Sequence, residues 1–280
     1  MKIYSDVNNS DCLSFLDSYN SIPFDLAFLD PPFNQAKEYR SHDDDMIPEL
    51  YWKWMYEVCS KIYEKSSAGA AIYFMQREKN AKYVLEVLQE SRWVYQNLIV
   101  WKKKTSAVPS TMRYGKHYQI IVFATKGEKP RVFNKLRYDP PLLVTEKYKR
   151  PNGVYVTDVW DDIRELTSGY LAGDEPLREK NGERAHKQQS PIHLLTRIIL
   201  SSSRPNDLIL DPFAGTGTTL VVANQLNRNS IGIEIDKDNS ELIRNRISNP
   251  RISDNISKLY DYYKFSSDID SFWGISTNNS

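Results

Sequence analysis

The sequence predicts an α/β chain built on a mostly parallel sheet. Two observations lead there. Short apolar runs alternate with helical patterns over most of the 280 residues, and a glycine-bearing turn at 211–219 joins one apolar run directly to a helix. Phe24 to Asp30 (FDLAFLD) reads as a buried strand ending on an acid. Met46 to Lys65 follows as a helix, with Ile47, Leu50, Tyr51, Trp54, Val58 and Ile62 at three- and four-residue spacing on one apolar face. A strand over 69–75, a helix over 77–90 burying Ala81, Val84, Leu85 and Leu88, and strands near 93–101 and 117–124 come next, with a basic loop between the last two. From 126 to 188 the periodicity fails at Pro130, Pro140, Pro141, Pro151 and Pro176, which marks an insertion. Order returns with Ser190 as helix cap and Pro191 at the first helical position. A strand over 207–211, a helix from about Thr218, a strand over 230–235 and a helix from about Asn239 complete a second βαβ unit. Beyond Pro250 the pattern supports one helix and then frays; no internal repeats occur.

Composition excludes several classes. Hydrophobic residues are 40% and charged residues 26%, with 11 Gly and 14 Pro, values that fit neither collagen-like nor wholly disordered chains. Cys12 and Cys59 cannot make a disulfide framework and read as buried thiols. No apolar run reaches the ~18 residues of a membrane helix, and no signal peptide opens the chain, so a soluble cytoplasmic protein without membrane partners is expected. The net charge of +1 hides an asymmetry: residues 101–150 hold 13 Lys+Arg against three acids, a net +10, which leaves −9 for the rest. Such a segment suits phosphate-backbone binding, with Lys102, Lys103, Lys104, Arg113, Tyr114 and Lys116 as contacts; a solvated face is the alternative. His42, His117, His186 and His193 are dispersed, so no metal site is expected, and Asp43-Asp44-Asp45 reads as a solvated loop capping the next helix.

Two motifs carry chemistry. In Asp211-Pro212-Phe213-Ala214-Gly215-Thr216-Gly217-Thr218-Thr219, two glycines permit a tight turn and close ligand approach, and the helix behind offers free N–H groups. Leu220 stands where a dinucleotide fingerprint needs its third glycine, and no Gly-Lys-Ser/Thr follows, so a ligand with a carboxylate and a sugar fits better than a pyrophosphate. Glu234 ends the next strand, where an acid accepts ribose hydroxyls. In Asp30-Pro31-Pro32-Phe33, two prolines lock an extended turn in which a carboxylate and the Pro31 carbonyl can face one donor group, with Phe33 as a stacking surface.

DPPF resembles the catalytic motif, and DPFAGTGTT the cofactor motif, of the amino-group DNA methyltransferases that act on adenine N6 or cytosine N4. The catalytic motif comes first by 181 residues, an order similar to the permuted β group. SDCLSFL, VWKKK, HYQIIVFATKG and TDVWDDI match further family segments. His186-Lys187-Gln188-Gln189-Ser190-Pro191 resembles the family's His-Pro-Thr-Gln-Lys-Pro but departs from it at three positions.

The resemblance implies a Rossmann-like methyltransferase fold with an inserted DNA-recognition region. Residues 1–125 form the catalytic half, 126–185 the target-recognition insertion, 186–250 the S-adenosylmethionine-binding half and 251–280 an extension. It implies catalysis by Asp30, Pro31, Pro32 and Phe33. Cofactor contacts follow at Asp11, Asp30, Gln189, Asp211, Phe213, Ala214, Gly215, Thr216, Gly217, Thr218 and Glu234. The implied substrate is double-stranded DNA whose adenine is flipped onto Phe33. A cognate restriction endonuclease as functional partner and a homodimer follow from the same family. Cytosine-N4 methylation, for which the family more often carries Ser in place of Asp30, a silent DNA-binding module, and RNA or protein-amine methylation are the competing readings.

Overall fold

The computed structural model describes residues 3–34, 45–104, 109, 111–140, 150–166, 173–178, 182 and 189–275. Asp43, Asp44, Lys147, Lys149 and the motif residues His186 to Gln188 lie outside that set. An eight-stranded sheet organises the chain. Its strands are β1 (Ser5–Asn9), β2 (Phe24–Leu29), β3 (Ser66–Arg77), β4 (Val94–Lys102), β5 (Tyr118–Thr125), β8 (Val159–Trp160), β9 (Leu208–Asp211) and β10 (Asn229–Glu234), in the order β1-β10-β9-β2-β3-β5-β4-β8. Only β5 runs antiparallel to its neighbours, so the carboxyl ends of the other seven share one edge. A separate ribbon pairs β6 (Arg137–Tyr138) with β7 (Val154–Tyr155).

Alternation along the strands divides the core in two, because successive strand side chains point to opposite faces. On β3, Ala71, Tyr73 and Met75 face a cluster closed by α4 (Ile192–Ser202), α5 (Thr218–Gln225), α7 (Ser257–Tyr263) and α8 (Ile269–Trp273). Ile72 and Phe74 face the opposite cluster, closed by α1 (Cys12–Ser18), α2 (Pro48–Lys65) and α3 (Ala81–Glu90). The strand α6 (Lys237–Ser248) covers is β1, with Ile243 packed near Val7 and Leu220.

Four expectations need correction. The apolar face of the 46–65 helix is narrower than its spacing predicts: Tyr51, Val58 and Ile62 are buried, but Leu50 in the first turn and Ile47, the N-cap before it, are exposed. The 126–185 segment is not set apart from the sheet, since β8 pairs with β4 and Leu136, Trp160 and Ile163 enter the main core. The C-terminal segment does not fray after one helix: α7 and α8 dock through Leu259, Tyr263, Ile269 and Trp273. The N-cap of α4 is Pro191, not Ser190; the carboxylate of Glu175 accepts the Ile192 N–H at 2.6 Å and does the capping.

Candidate active site at the carboxyl edge of the sheet

Connections leave β2 and β9 in opposite directions, β2 toward β3 through α2 and β9 toward β10 through α5. Adjacent parallel strands that part in this way open a crevice beyond their carboxyl ends, where α/β proteins bind ligands. Both sequence motifs start there. Leu26 and Ala27 lie beside Ile209 and Leu210, so the DPPF turn after β2 and the DPFAGTG turn after β9 rise from neighbouring strands. Asn9 pairs with Glu234, which brings the ends of β1 and β10 to the same edge.

The glycine turn is held from three sides. Gly217 adopts φ +76°, and a Cβ there would lie 2.5 Å from Ile243 Cγ2, so both its conformation and its close approach to α6 require glycine. Gly215 N–H donates to Glu234 Oε2 at 2.7 Å and Asp236 N–H to Oε1 at 2.9 Å. Burial pushes the Glu234 carboxyl above its ordinary range, while those two N–H bonds oppose the shift. Beneath the turn, Arg246 donates to the Thr216 carbonyl at 2.9 Å and to Thr218 Oγ1 at 3.1 Å, and is itself ion-paired with Asp254 at 2.7 Å. Ser10 Oγ, just past β1, is buried without a hydrogen-bond partner among the described residues, a polar group that a polar ligand over this turn could satisfy.

Asp211 is the most perturbed acid of the site. It is 3% exposed, accepts from Thr219 Oγ1 at 2.5 Å and Phe213 N–H at 3.1 Å, and burial pushes its pKa up to about 7. Its native pKa lies above its ordinary value of 3.8, so between about pH 4 and 7 the native chain keeps a proton that the unfolded chain has lost. Stability contributed by this group is complete below pH 4 and is lost as pH rises through 7. Asp211→Asn is expected to flatten that part of the stability profile, read by urea titrations at pH 4.5 and 7.5; an unaltered slope would contradict the assignment.

The DPPF turn is built differently. Pro31 and Phe33 are buried, Phe33 to 4% exposure, so its ring is not an open platform. Asn34, at φ +52°, binds both backbone groups of Met46, at 2.6 and 2.7 Å, and so ties the motif to the entrance of α2. Asp30 is half-buried, and its Oδ2 accepts a hydrogen bond from Ser190 Oγ at 2.9 Å across 160 residues of sequence. This contact, the Glu175 cap, the Arg246–Asp254 pair and the edge-on packing of Trp54 against Phe213 at 5.5 Å have no signature in the sequence. Each joins segments far apart in the chain.

Asp11, Gln189 and the cysteines, also singled out by the sequence, have partners or surroundings within the fold. Asp11 is the N-cap of α1, accepting Ser14 N–H at 2.9 Å, beside the end of β1. Gln189 accepts the Leu177 N–H and donates to the Glu175 carbonyl, so its amide holds the 173–178 segment. Cys12 and Cys59 are buried, and burial pushes the Cys12 thiol up to about 12, which suits neither for nucleophilic work. Among the described residues no group of three His, Cys, Asp or Glu could hold a metal ion, and no helix is long and apolar enough to cross a membrane.

The basic segment divides. Because β4 runs with β2 and β3, its end at Lys102 and the start of β5 at Tyr118 lie at the candidate-site edge. There Lys102, Lys104, Arg113 and Tyr114 are exposed, Tyr114 to 95%, and Met112, a residue the sequence reading passed over, to 91%. Lys103 lays its ammonium 5.1 Å from the Trp101 ring centroid, and Lys116 pairs with Glu78 at 2.8 Å. Lys126 and Arg131 follow β5 at the opposite edge, where Lys126 binds the Tyr63 and Ser66 carbonyls and Arg131 pairs with Asp25 and Asp207. The net +10 segment is therefore not one continuous face.

The profile of the DNA methylase family, which groups N6 and N4 enzymes, matches residues 24–245. Type II methyltransferase M.HpaI of Haemophilus parainfluenzae is 28% identical over 238 residues, covering 85% of this chain and 72% of its own. DNA adenine methyltransferase YhdJ of Escherichia coli K12 is 29% identical over 249 residues, covering 84% and 79%. The solved M1.HpyAVI–SAM complex superposes with a TM-score of 0.58 at 21% identity, over 87% of this chain and 98% of that one. The cytosine-N4-specific PvuII DNA methyltransferase gives 0.64 at 19% identity, over 94% and 93%.

Proposed function

Because the chain belongs to the N6/N4 DNA methylase family and is an S-adenosylmethionine-dependent DNA methyltransferase, we propose that its target is the N6 amine of adenine within a specific duplex sequence. The observation that carries the choice of adenine is Asp30 at the head of Asp-Pro-Pro-Phe, placed across the β2–β9 crevice from the glycine turn. A carboxylate is the stronger acceptor for an amine that gains positive charge during transfer. The adenine enzyme YhdJ supports this reading, and the cytosine-N4 PvuII enzyme supports the alternative. Single-molecule sequencing of plasmid from cells expressing the chain reports both base and context; modified cytosine without modified adenine would overturn the choice.

S-adenosylmethionine supplies an electrophilic methyl group. The residues that would hold it fit a ligand with a carboxylate and a ribose: the first turn of α5, beginning at Thr218 behind the glycine turn, offers helix N-terminal N–H groups, and Glu234 retains lone pairs beyond the two it gives to Gly215 and Asp236. Asp30 and the Pro31 carbonyl accept the two hydrogens of the exocyclic amine and align its lone pair for in-line displacement, so the gain comes from orientation and from stabilising charge on nitrogen. Phe33 stacks on the flipped base once the turn opens to admit it. Glu234→Ala is expected to weaken S-adenosylmethionine binding by about 1–3 kcal/mol, read by calorimetry on the folded variant; an unchanged Kd would move the ribose contact elsewhere.

Duplex DNA docks on the candidate-site edge through Lys102, Lys104, Arg113 and Tyr114, with the 126–185 segment reading the sequence. Lys102→Gln is expected to flatten the log–log salt dependence of DNA affinity by about 0.9 and to leave cofactor affinity untouched; an unaltered slope would remove Lys102 from the interface. A type II setting like that of M.HpaI makes the chain a cytoplasmic protector of DNA against a cognate restriction endonuclease.

A further inference from the structure

We propose that Ser190 is a positioning residue that sets the orientation of the Asp30 carboxylate for methyl transfer. Aspartate side chains at strand ends ordinarily find a donor locally, in the backbone N–H two residues on. That particular turn is closed to Asp30, because residues 31 and 32 are both proline and carry no N–H. Ser190 Oγ reaches it from across the fold and donates to Oδ2 at 2.9 Å.

The surroundings of Ser190 release its hydroxyl for this purpose. A serine just before a helix ordinarily spends its oxygen on the helix's first N–H groups. Here Pro191 occupies the cap position with no side-chain bond, and Glu175 accepts the Ile192 N–H instead. Gln189, directly before Ser190 and 9% exposed, is anchored by its amide, which accepts the Leu177 N–H and donates to the Glu175 carbonyl. Arg251 in turn binds the Glu175 carbonyl at 2.8 Å and the buried Asp254. Ser190 thus sits on backbone held from both sides, and its hydroxyl reaches across to β2. Resembling the family's His-Pro-Thr-Gln-Lys-Pro segment, the chain has serine where that pattern has lysine, so the Asp30 contact belongs to one of this chain's own departures.

This inference rests on the methyl-transfer reading, and two measurements separate their failures. In steady-state assays with duplex DNA, Ser190→Ala is expected to lower kcat about ten- to a hundredfold, the range for a lost hydrogen bond to a charged group, with the KM for DNA and the Kd for S-adenosylmethionine within about twofold of wild type. Ser190→Thr, which keeps the hydroxyl, is expected to restore kcat to within about threefold. In the crystal structure of Ser190→Ala, the Asp30 carboxylate is expected to leave its wild-type rotamer. A kcat within twofold of wild type, or failure of threonine to rescue, overturns the positioning role. An inactive wild-type chain would overturn the methyl-transfer reading, and the Asp30 rotamer would then decide the Ser190 contact alone: an unmoved carboxylate overturns it.

Discussion

Asp30→Ala is expected to lower kcat for methyl transfer by about 10²–10⁴-fold while the Kd for S-adenosylmethionine stays within about threefold, the range seen when a group that stabilises developing charge is removed. The split follows from where Asp30 sits. It leaves β2, whereas the glycine turn and Glu234 leave β9 and β10, so truncating Asp30 would remove the acceptor proposed for the target amine without disturbing the glycine turn, whose Gly215 N–H is held by Glu234. Asp30→Asn is the sharper companion, since it keeps the shape and the Ser190 contact but gives up the negative charge. Single-turnover transfer to duplex DNA and calorimetry with the cofactor read the two halves separately. A rate within tenfold of wild type for the alanine variant would remove Asp30 from the chemistry.

The largest effect on stability is expected at Asp254. Its carboxylate is fully buried and receives Arg246 from α6 and Arg251 from the turn before it, at 2.7 and 2.8 Å. Burial alone would raise its pKa, but the hydrogen bonds from Arg251 and Arg246 prevail and hold it at about 2. Asp254→Ala leaves the Arg246 guanidinium, 3% exposed, without its counter-charge, and a broken buried pair costs about 3–5 kcal/mol. Against an ordinary total stability of about 5–15 kcal/mol that is a large fraction. The loss is expected as a lower urea midpoint, and the surviving native fraction should bind S-adenosylmethionine more weakly, because Arg246 also holds the Thr216 carbonyl and Thr218 under the glycine turn. The native pKa lies below the ordinary 3.8, so this stabilisation is present above about pH 4 and is lost as pH falls through 2. A midpoint unchanged from wild type would show that the pair contributes nothing net.

What the sequence discloses and what it hides divide along a physical line. The strands that carry the motifs are legible because each is a short apolar run with a turn signal directly behind it, as in FDLAFLD-PP and LILD-PFAGTG. The first strand and helix, Ser5–Asn9 and Cys12–Ser18, are not: β1 has a single buried residue, Val7, and its sequence SDVNN has little strand character. It is a strand because β10 pairs with it along five residues. The C-terminal helices are short and polar on their outer faces, and only the docked positions of Tyr263 and Trp273 reveal that they close the core. Local motifs likewise locate Asp30, Asp211, Gly217 and Glu234, whereas the residues that hold them, Ser190, Glu175, Arg246 and Asp254, act across folds of the chain that no local pattern encodes. The charge count over 101–150 takes together Lys102, Lys104 and Arg113, exposed beside the candidate-site edge, and Lys126 and Arg131, which the antiparallel course of β5 carries to the far edge.

The central claim is that this chain moves a methyl group from S-adenosylmethionine to the N6 amine of adenine in duplex DNA. The most direct measurement incubates the purified chain with S-adenosylmethionine bearing a deuterated methyl group and mixed-sequence duplex DNA, then identifies the nucleosides by mass spectrometry. Deuterated N6-methyladenine, present with the wild-type chain and missing with Asp30→Ala, is the predicted result. Label found only as N4-methylcytosine would contradict the choice of base, and no labelled nucleoside at all would contradict the account as a whole.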